Sequence, residues 1–302
     1  MKAFKGAYTA LITPMLADGT IDWEGWRRLI NFQIDQGIDG LVPLGTTGEN
    51  PTLDEDEEDR LIAILMEETR GRAPVIIGTG SNDTRHAVAY TRRAREAGAD
   101  AALVVTPYYN KPNDSGLIGH FRAVAAVGLP VIIYNIASRT GRNIPTGLME
   151  QLAEIPGILG VKEASGDINQ MAEVIQRIAI PRRGPGAGPF WVLSGDDGLC
   201  LPLMALGGDG LISVISNLLP GKVAALTRAC AAGNFEEARR IHYELLPLVK
   251  AVFIETNPAP IKRAMSLAGL PGGPARLPLG PISPASEAAL RAAMTGLGIK
   301  LI

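Results

Sequence analysis

Short apolar, β-rich runs recur along the chain, separated by stretches long enough for one helix. They read YTALITP, GLVPLGTTGE, PVIIGTGS, AALVVTPYY, PVIIYNI, ILGVKEAS, FWVLSGDD and GLISVISN. Each is apolar on both faces. A strand wetted on one side alternates in polarity, whereas a strand covered on both sides does not. The runs therefore predict eight buried parallel strands. Helical patterns fit between most of them, over 52–70, 83–97, 114–127, 145–154 and 167–179. The first of these has Thr52 and Glu55 at capping-box spacing. Leu61, Ile64 and Leu65 then give it an apolar stripe. The acidic residues of 54–59 suit its N-terminal turns, where the helix dipole favours negative charge. Eight strand–helix units close into a (β/α)8 TIM barrel of the α/β class. A doubly wound open sheet would carry a Gly-rich fingerprint after its first strand, and ALITPMLADG is no such loop. The expected organisation is a barrel core over 1–217 that carries the active site. The last barrel helix and a C-terminal helical extension follow over 218–302. Ser283-Pro284 makes a good N-cap and first position for the final helix. PRRGPGAGP (181–189) reads as a surface loop, too short to link domains.

Composition narrows the function. The 302 residues are 46% hydrophobic and 20% charged, ordinary for a globular chain with a large core. A net charge of -2 gives no basic excess for nucleic acid. No stretch reaches the roughly 18 apolar residues of a membrane span, and the N-terminus reads as a first strand rather than a signal peptide. Cys200 and Cys230 form no CxxC pair, and His86, His120 and His242 have no metal-ligand spacing. No metal is expected, and a reducing cytoplasm fits.

Barrel active sites sit at the C-terminal ends of the strands. There the polar residues fall in GTTGEN, TPYYN, YNIASRTG, GVKEASGD and SGDD. Lys162 ends the apolar run Ile158-Leu159-Gly160-Val161, and lysine is rarely buried without a partner or a use. Alternation puts Gly160, Lys162 and Ala164 on one face, where small neighbours leave room beside the amine. An ordinary lysine is neutral in only roughly one molecule in a thousand near pH 7.4. Burial lowers its pKa and suits it to Schiff-base chemistry. An ion pair with Glu163 or Asp196 is the competing reading, and these residues alone weigh the two evenly. Tyr134 shares the face of Ile132, either as a core tyrosine or as a proton carrier. GTTGE is a turn, or a set of hydroxyls and N–H groups that hold a small carboxylate. Arg139 is a surface arginine or a carboxylate clamp. GGDGLIS is similar to the phosphate site of some barrels but lacks a basic companion, and tight packing is the preferred reading.

PLGTTGE, TPYYNKP, YNIASRTG, GVKEASGD, LSGDD, GLISV and NPAPIK span nearly the whole chain. Together, in this order and spacing, they resemble the 4-hydroxy-tetrahydrodipicolinate (dihydrodipicolinate) synthase family of pyruvate-dependent class I aldolases. The resemblance implies that Lys162 forms an imine with pyruvate. It implies a proton relay of Thr46, Tyr134 and Tyr109, the last reaching in from a neighbouring subunit. Thr47 would hold the pyruvate carboxylate and Arg139 the carboxylate of the incoming aldehyde, with Gly195 and Ile212 lining the pocket. The implied substrates are pyruvate and L-aspartate 4-semialdehyde, in the diaminopimelate route to lysine. The implied assembly is a homo-oligomer, a dimer of dimers, with no metal or organic cofactor. The chain departs from the family at Ala137, usually Pro, and at Asn50, frequently Ser. Relatives that cleave sialic acid or sugar-derived keto acids usually lack the arginine of SRTG, which favours the synthase over another pyruvate-dependent aldolase or keto-acid lyase. A barrel that binds small molecules without catalysis has no need of Lys162, Tyr134, Thr46 and Tyr109 together. Some members are inhibited by L-lysine; His86 stands where sensitive members have a glutamate, so the resemblance implies weak or absent inhibition.

Overall fold

A computed structural model describes residues 2–184 and 188–302. Eight strands run in chain order: β1 (Gly6–Ala10), β2 (Gly40–Val42), β3 (Ile76–Gly78), β4 (Ala101–Val105), β5 (Val131–Asn135), β6 (Ile158–Glu163), β7 (Trp191–Ser194) and β8 (Gly210–Ser213). The helices are α1 (Trp23–Asp35), α2 (Glu55–Thr69), α3 (Thr84–Glu96), α4 (Asp114–Ala125), α5 (Ala137–Thr140), α6 (Thr146–Ala153), α7 (Ile168–Val174), α8 (Cys200–Ala205), α9 (Pro220–Ala231), α10 (Phe235–Val252), α11 (Ala259–Leu267) and α12 (Pro284–Gly296). The strands form one sheet in the order β2-β1-β8-β7-β6-β5-β4-β3, and the fold is the expected (β/α)8 TIM barrel with C-terminal helices. Seven of the eight strands lie within the apolar runs, and β1 starts two residues ahead of its run. β5 and β6 are buried at every position, the condition that removes polar alternation from a sequence. No described helix is long and apolar enough to cross a membrane.

The chain comprises two compact units. The first is Pro74–Ile212 with the N-terminal residues through Gly6. Its strands are parallel, and after a register shift between Val131 and Ile132 the β5–β6 pairing sets Tyr134 beside Lys162 and Asn135 beside Glu163. Asp100 ties the start of β4 to the start of β3 by accepting from Val75 N at 2.9 Å. GGDGLIS is packed as tightly as expected: a Cβ on Gly210 would meet Gly6 O at 2.1 Å. After α7 the chain continues into a π-helical turn, Ile175–Ala179. Of the expected loop at 181–189, Pro181–Arg183 form a 3-10 turn, while 185–187 lie outside the described residues.

The second unit is Ala7–Ala73 with Ser213–Ile302. Here β1 pairs with β2, and Trp26 Nε1 donates to Leu61 O at 3.1 Å to join α1 to α2. The start of α2 differs from the expected one. Thr52 lies in a 3-10 turn behind Pro51, and Leu53 is extended. The cap is Asp54, which accepts from Glu57 N at 2.8 Å while Glu57 accepts from Asp54 N at 3.2 Å. The capping box exists, two residues later than Thr52 and Glu55, because an aspartate satisfies the first N–H groups as well as a threonine. The acidic first turn and the Ser283 cap of α12 are as read from the sequence.

Candidate active site

Lys162 is the penultimate residue of β6 and is 6% exposed. Its Nζ lies 4.2 Å from the centre of the Tyr134 ring on β5, a consequence of the register between the two strands. Among the described residues no carboxylate forms an ion pair with it. Burial pulls its pKa from the ordinary 10.5 down to about 7; the charge of Asp197 opposes the fall and that of Arg139 adds to it. About half of the amine is then neutral at pH 7.

The competing ion-pair reading fails on geometry. Glu163 follows Lys162 on the strand and so faces the other way. Its buried carboxylate accepts from Asn135 Nδ2 at 3.1 Å, Ser165 N at 2.8 Å and Gln170 Nε2 at 3.3 Å. Burial raises its pKa, and these donors hold the charged form against that. Asp196 caps the turn after β7 by accepting from Gly198 N at 2.7 Å. The acid that Lys162 senses is the next one, buried Asp197, which sequence reasoning missed. The SGDD pair was visible, but only the turn decides which aspartate faces inward.

The space beside the lysine has a different origin from the expected one. At Gly160 a Cβ would meet Trp191 O at 2.4 Å, so the small residue there serves the approach of β7. Gly195 is the residue that guards the lysine. A Cβ there would lie 2.7 Å from Ala164 Cβ and 3.1 Å from Lys162 Cε.

Arg139 is exposed on the single turn of α5, and Ala137, in place of the family's proline, is the first residue of that turn. A first helical position tolerates either residue, so the departure leaves the turn intact. The turn is tied down by Thr140 Oγ1, which donates to Arg142 O at 2.9 Å. Ile212 is fully buried on β8. Tyr109 is 90% exposed and has φ +71°, a left-handed conformation that a tyrosine adopts at a cost. Within the first unit, then, Lys162, Tyr134 and Gly195 come together in contact, Arg139 and Asp197 act on Lys162 through their charge, and Tyr109 stands out in solvent.

Thr46 and Thr47 belong to the second unit, on a 3-10 turn (Thr46–Gly48) after β2. Thr46 is half-buried and Thr47 buried. Asn257 Nδ2 donates to Thr47 Oγ1 at 2.9 Å. Glu49, the last residue of GTTGE, is buried against Lys262 Nζ at 2.6 Å. Asn257 and Lys262 are the two polar side chains of NPAPIK, a motif that carried no role in the sequence reading.

The profile of the dihydrodipicolinate synthetase family matches residues 3–296. A protein of Protochlamydia amoebophila named 4-hydroxy-tetrahydrodipicolinate synthase is 52% identical over 276 residues, 91% of this chain and 90% of that one. The crystal structure of dihydrodipicolinate synthase from Aquifex aeolicus superposes with a TM-score of 0.93 at 44% identity, covering 99% of both chains. The chloride-inhibited enzyme from Acinetobacter baumannii, complexed with pyruvate, superposes with a TM-score of 0.93 at 38% identity, covering 98% of this chain and 100% of that one.

Proposed function

The chain belongs to the dihydrodipicolinate synthetase family, and from that premise we propose that it is an aldolase-type lyase that condenses pyruvate with L-aspartate 4-semialdehyde through an imine on Lys162. One observation carries the reading: a buried lysine, free of any ion pair among the described residues, held over Tyr134 with a pKa near 7. A neutral amine adds to the ketone carbon of pyruvate. Loss of water gives the imine, which draws electrons from the methyl carbon. Removal of a methyl proton leaves an enamine, and its carbon attacks the aldehyde. Tyr134, Thr46 and Tyr109 relay the protons of these steps. The support for Tyr134 is its contact with the lysine; the support for Thr46 and Tyr109 is the motif match.

Thr47 holds the pyruvate carboxylate, and Arg139 receives the carboxylate of the aldehyde as a bidentate partner. Gly195 and Ile212 line the pocket. The exposure and left-handed backbone of Tyr109 fit a side chain offered to a second copy of the chain, in a dimer or dimer of dimers. Cys200 and Cys230, buried and in no disulfide among the described residues, fit a cytoplasmic enzyme of lysine and diaminopimelate biosynthesis. The substitution of His86 for a glutamate supports weak inhibition by L-lysine at most. A coupled assay with pyruvate against a panel of aldehydes tests the assignment. The semialdehyde is expected to turn over fastest. Preference for a sugar-derived aldehyde would move the chain to another branch of the pyruvate-dependent aldolases.

A further inference from the structure

NPAPIK lies some two hundred residues from GTTGE in sequence, yet it meets that motif at both ends within the second unit. At one end Asn257 Nδ2 donates to Thr47 Oγ1 at 2.9 Å, with Asn257 5% and Thr47 3% exposed. At the other, Lys262 Nζ donates to Glu49 Oε1 at 2.6 Å and to Thr13 O at 2.9 Å. The second Glu49 oxygen accepts from Arg276 N at 2.8 Å, and Thr13 Oγ1 donates to Gly48 O at 2.7 Å. Glu49 holds φ +57°, so the turn ends in a conformation that needs such support.

The direction of the Asn257 bond has a chemical consequence. An amide nitrogen only donates, so the Thr47 oxygen is the acceptor. A hydroxyl has a single proton, and among the described residues nothing accepts the one on Thr47. A carboxylate only accepts. We propose that Asn257 is a positioning residue that commits the Thr47 hydroxyl to donate its proton to the carboxylate of pyruvate. The proposal rests on the reading of Thr47 as the carboxylate-holding residue. Lys262 and Glu49 keep the turn in place while Asn257 sets the sense of its hydrogen bond.

Asn257→Asp separates this role from simple packing. Aspartate has the same shape but accepts where asparagine donates, so it takes the Thr47 proton and places a negative charge behind the hydroxyl. The readout is borohydride trapping of pyruvate on Lys162 as a function of pyruvate concentration, which needs no second substrate. Half-saturating pyruvate is expected to rise by about tenfold or more in Asn257→Asp, because a bond to a charged group is lost. Trapping at saturation is expected to stay at the native level. Asn257→Ala is expected to give a smaller rise. In a Thr47→Val background neither change at position 257 is expected to add to the effect of the valine. Native half-saturation in Asn257→Asp would mean that position 257 accepts from Thr47, and would overturn the proposal. Full additivity with Thr47→Val would overturn it equally. If the aspartate variant fails to fold, Asn257→Ala alone and combined with Thr47→Val carries the same test. A native chain that traps no pyruvate at all would sink the proposed function, and this proposal with it.

Discussion

Lys162 in the first unit and Lys262 in the second are 6% and 1% exposed, yet their surroundings differ in kind. Lys262 lies against the Glu49 carboxylate and donates to a backbone oxygen. Burial lowers its pKa, and the contact with Glu49 works against that fall. Lys162 has an aromatic face, a nearby arginine and, among the described residues, no paired carboxylate. Burial alone therefore does not make a lysine reactive. What separates the two is where the neighbouring acid went. Glu49 is turned onto Lys262, whereas Glu163 is turned away from Lys162 and satisfied by Asn135, Ser165 and Gln170. Lys262 is held as an ion-paired strut, and Lys162 is left as the proposed nucleophile.

The largest effect that can break this contrast is in catalysis. Lys162→Arg is expected to keep the fold and reduce turnover to background, because guanidinium stays protonated near neutrality. Lys262→Met is expected to keep the ability to trap pyruvate in whatever fraction of the protein remains folded. If Lys262→Met abolished trapping in folded protein, as judged by circular dichroism, the division of roles would be wrong. Next, Tyr134→Phe is expected to lower turnover by about 100- to 10,000-fold, the usual contribution of a positioned acid–base group. Steady-state kinetics with unaltered turnover would make Tyr134 a packing residue.

Stability should move in opposite directions at the two lysines. Removing Lys262 strands a buried carboxylate, at a cost of about 3–5 kcal/mol. Lys162→Met should instead stabilise the fold at neutral pH, by up to about 4 kcal/mol for a pKa depressed from 10.5 to about 7. The sign follows from proton binding. Between about pH 7 and 10.5 the unfolded chain holds a proton on Lys162 that the folded chain has lost, so native stability rises with pH through that window. The advantage of the methionine variant is then greatest below about pH 7 and fades as pH approaches 10.5. Denaturation curves at several pH values check both signs, and equal destabilisation by the two variants would erase the distinction. The smallest effect lies at Arg139, whose charge adds to the fall in the Lys162 pKa. Arg139→Ala should raise the semialdehyde KM by about tenfold or more through the lost charged hydrogen bonds, with little change for pyruvate. Equal changes in both KM values would point to a disturbed loop.

The strands could be read from the sequence because a parallel sheet covered on both faces leaves runs without polar interruption. Their ends overshot, since GTTGE and VISN lie past the last strand residues, in loops and 3-10 turns rich in small and apolar residues. Lys162 stood out because an apolar run rarely closes on a lysine. Its environment was less legible. Alternation set the face of Glu163, but only the turn after β7 made Asp197 rather than Asp196 the acid that the amine senses. The roles of Lys262 and Asn257 were hidden in NPAPIK. A lysine on an ordinary helical pattern gives no sign of burial, and its partner Glu49 is 213 residues away. Contacts of that range arise only in the folded chain and leave no local spacing to detect.

The central claim is that Lys162, and not Lys262 with its paired Glu49, carries the chemistry. Borohydride reduction in the presence of pyruvate, followed by peptide mass mapping across pH, tests it most directly. The account predicts one pyruvate-derived mass, on the peptide that contains Lys162. The rate of labelling should fall as pH drops below about 7, where the amine becomes protonated. Labelling at Lys262, or none on the Lys162 peptide, would contradict it.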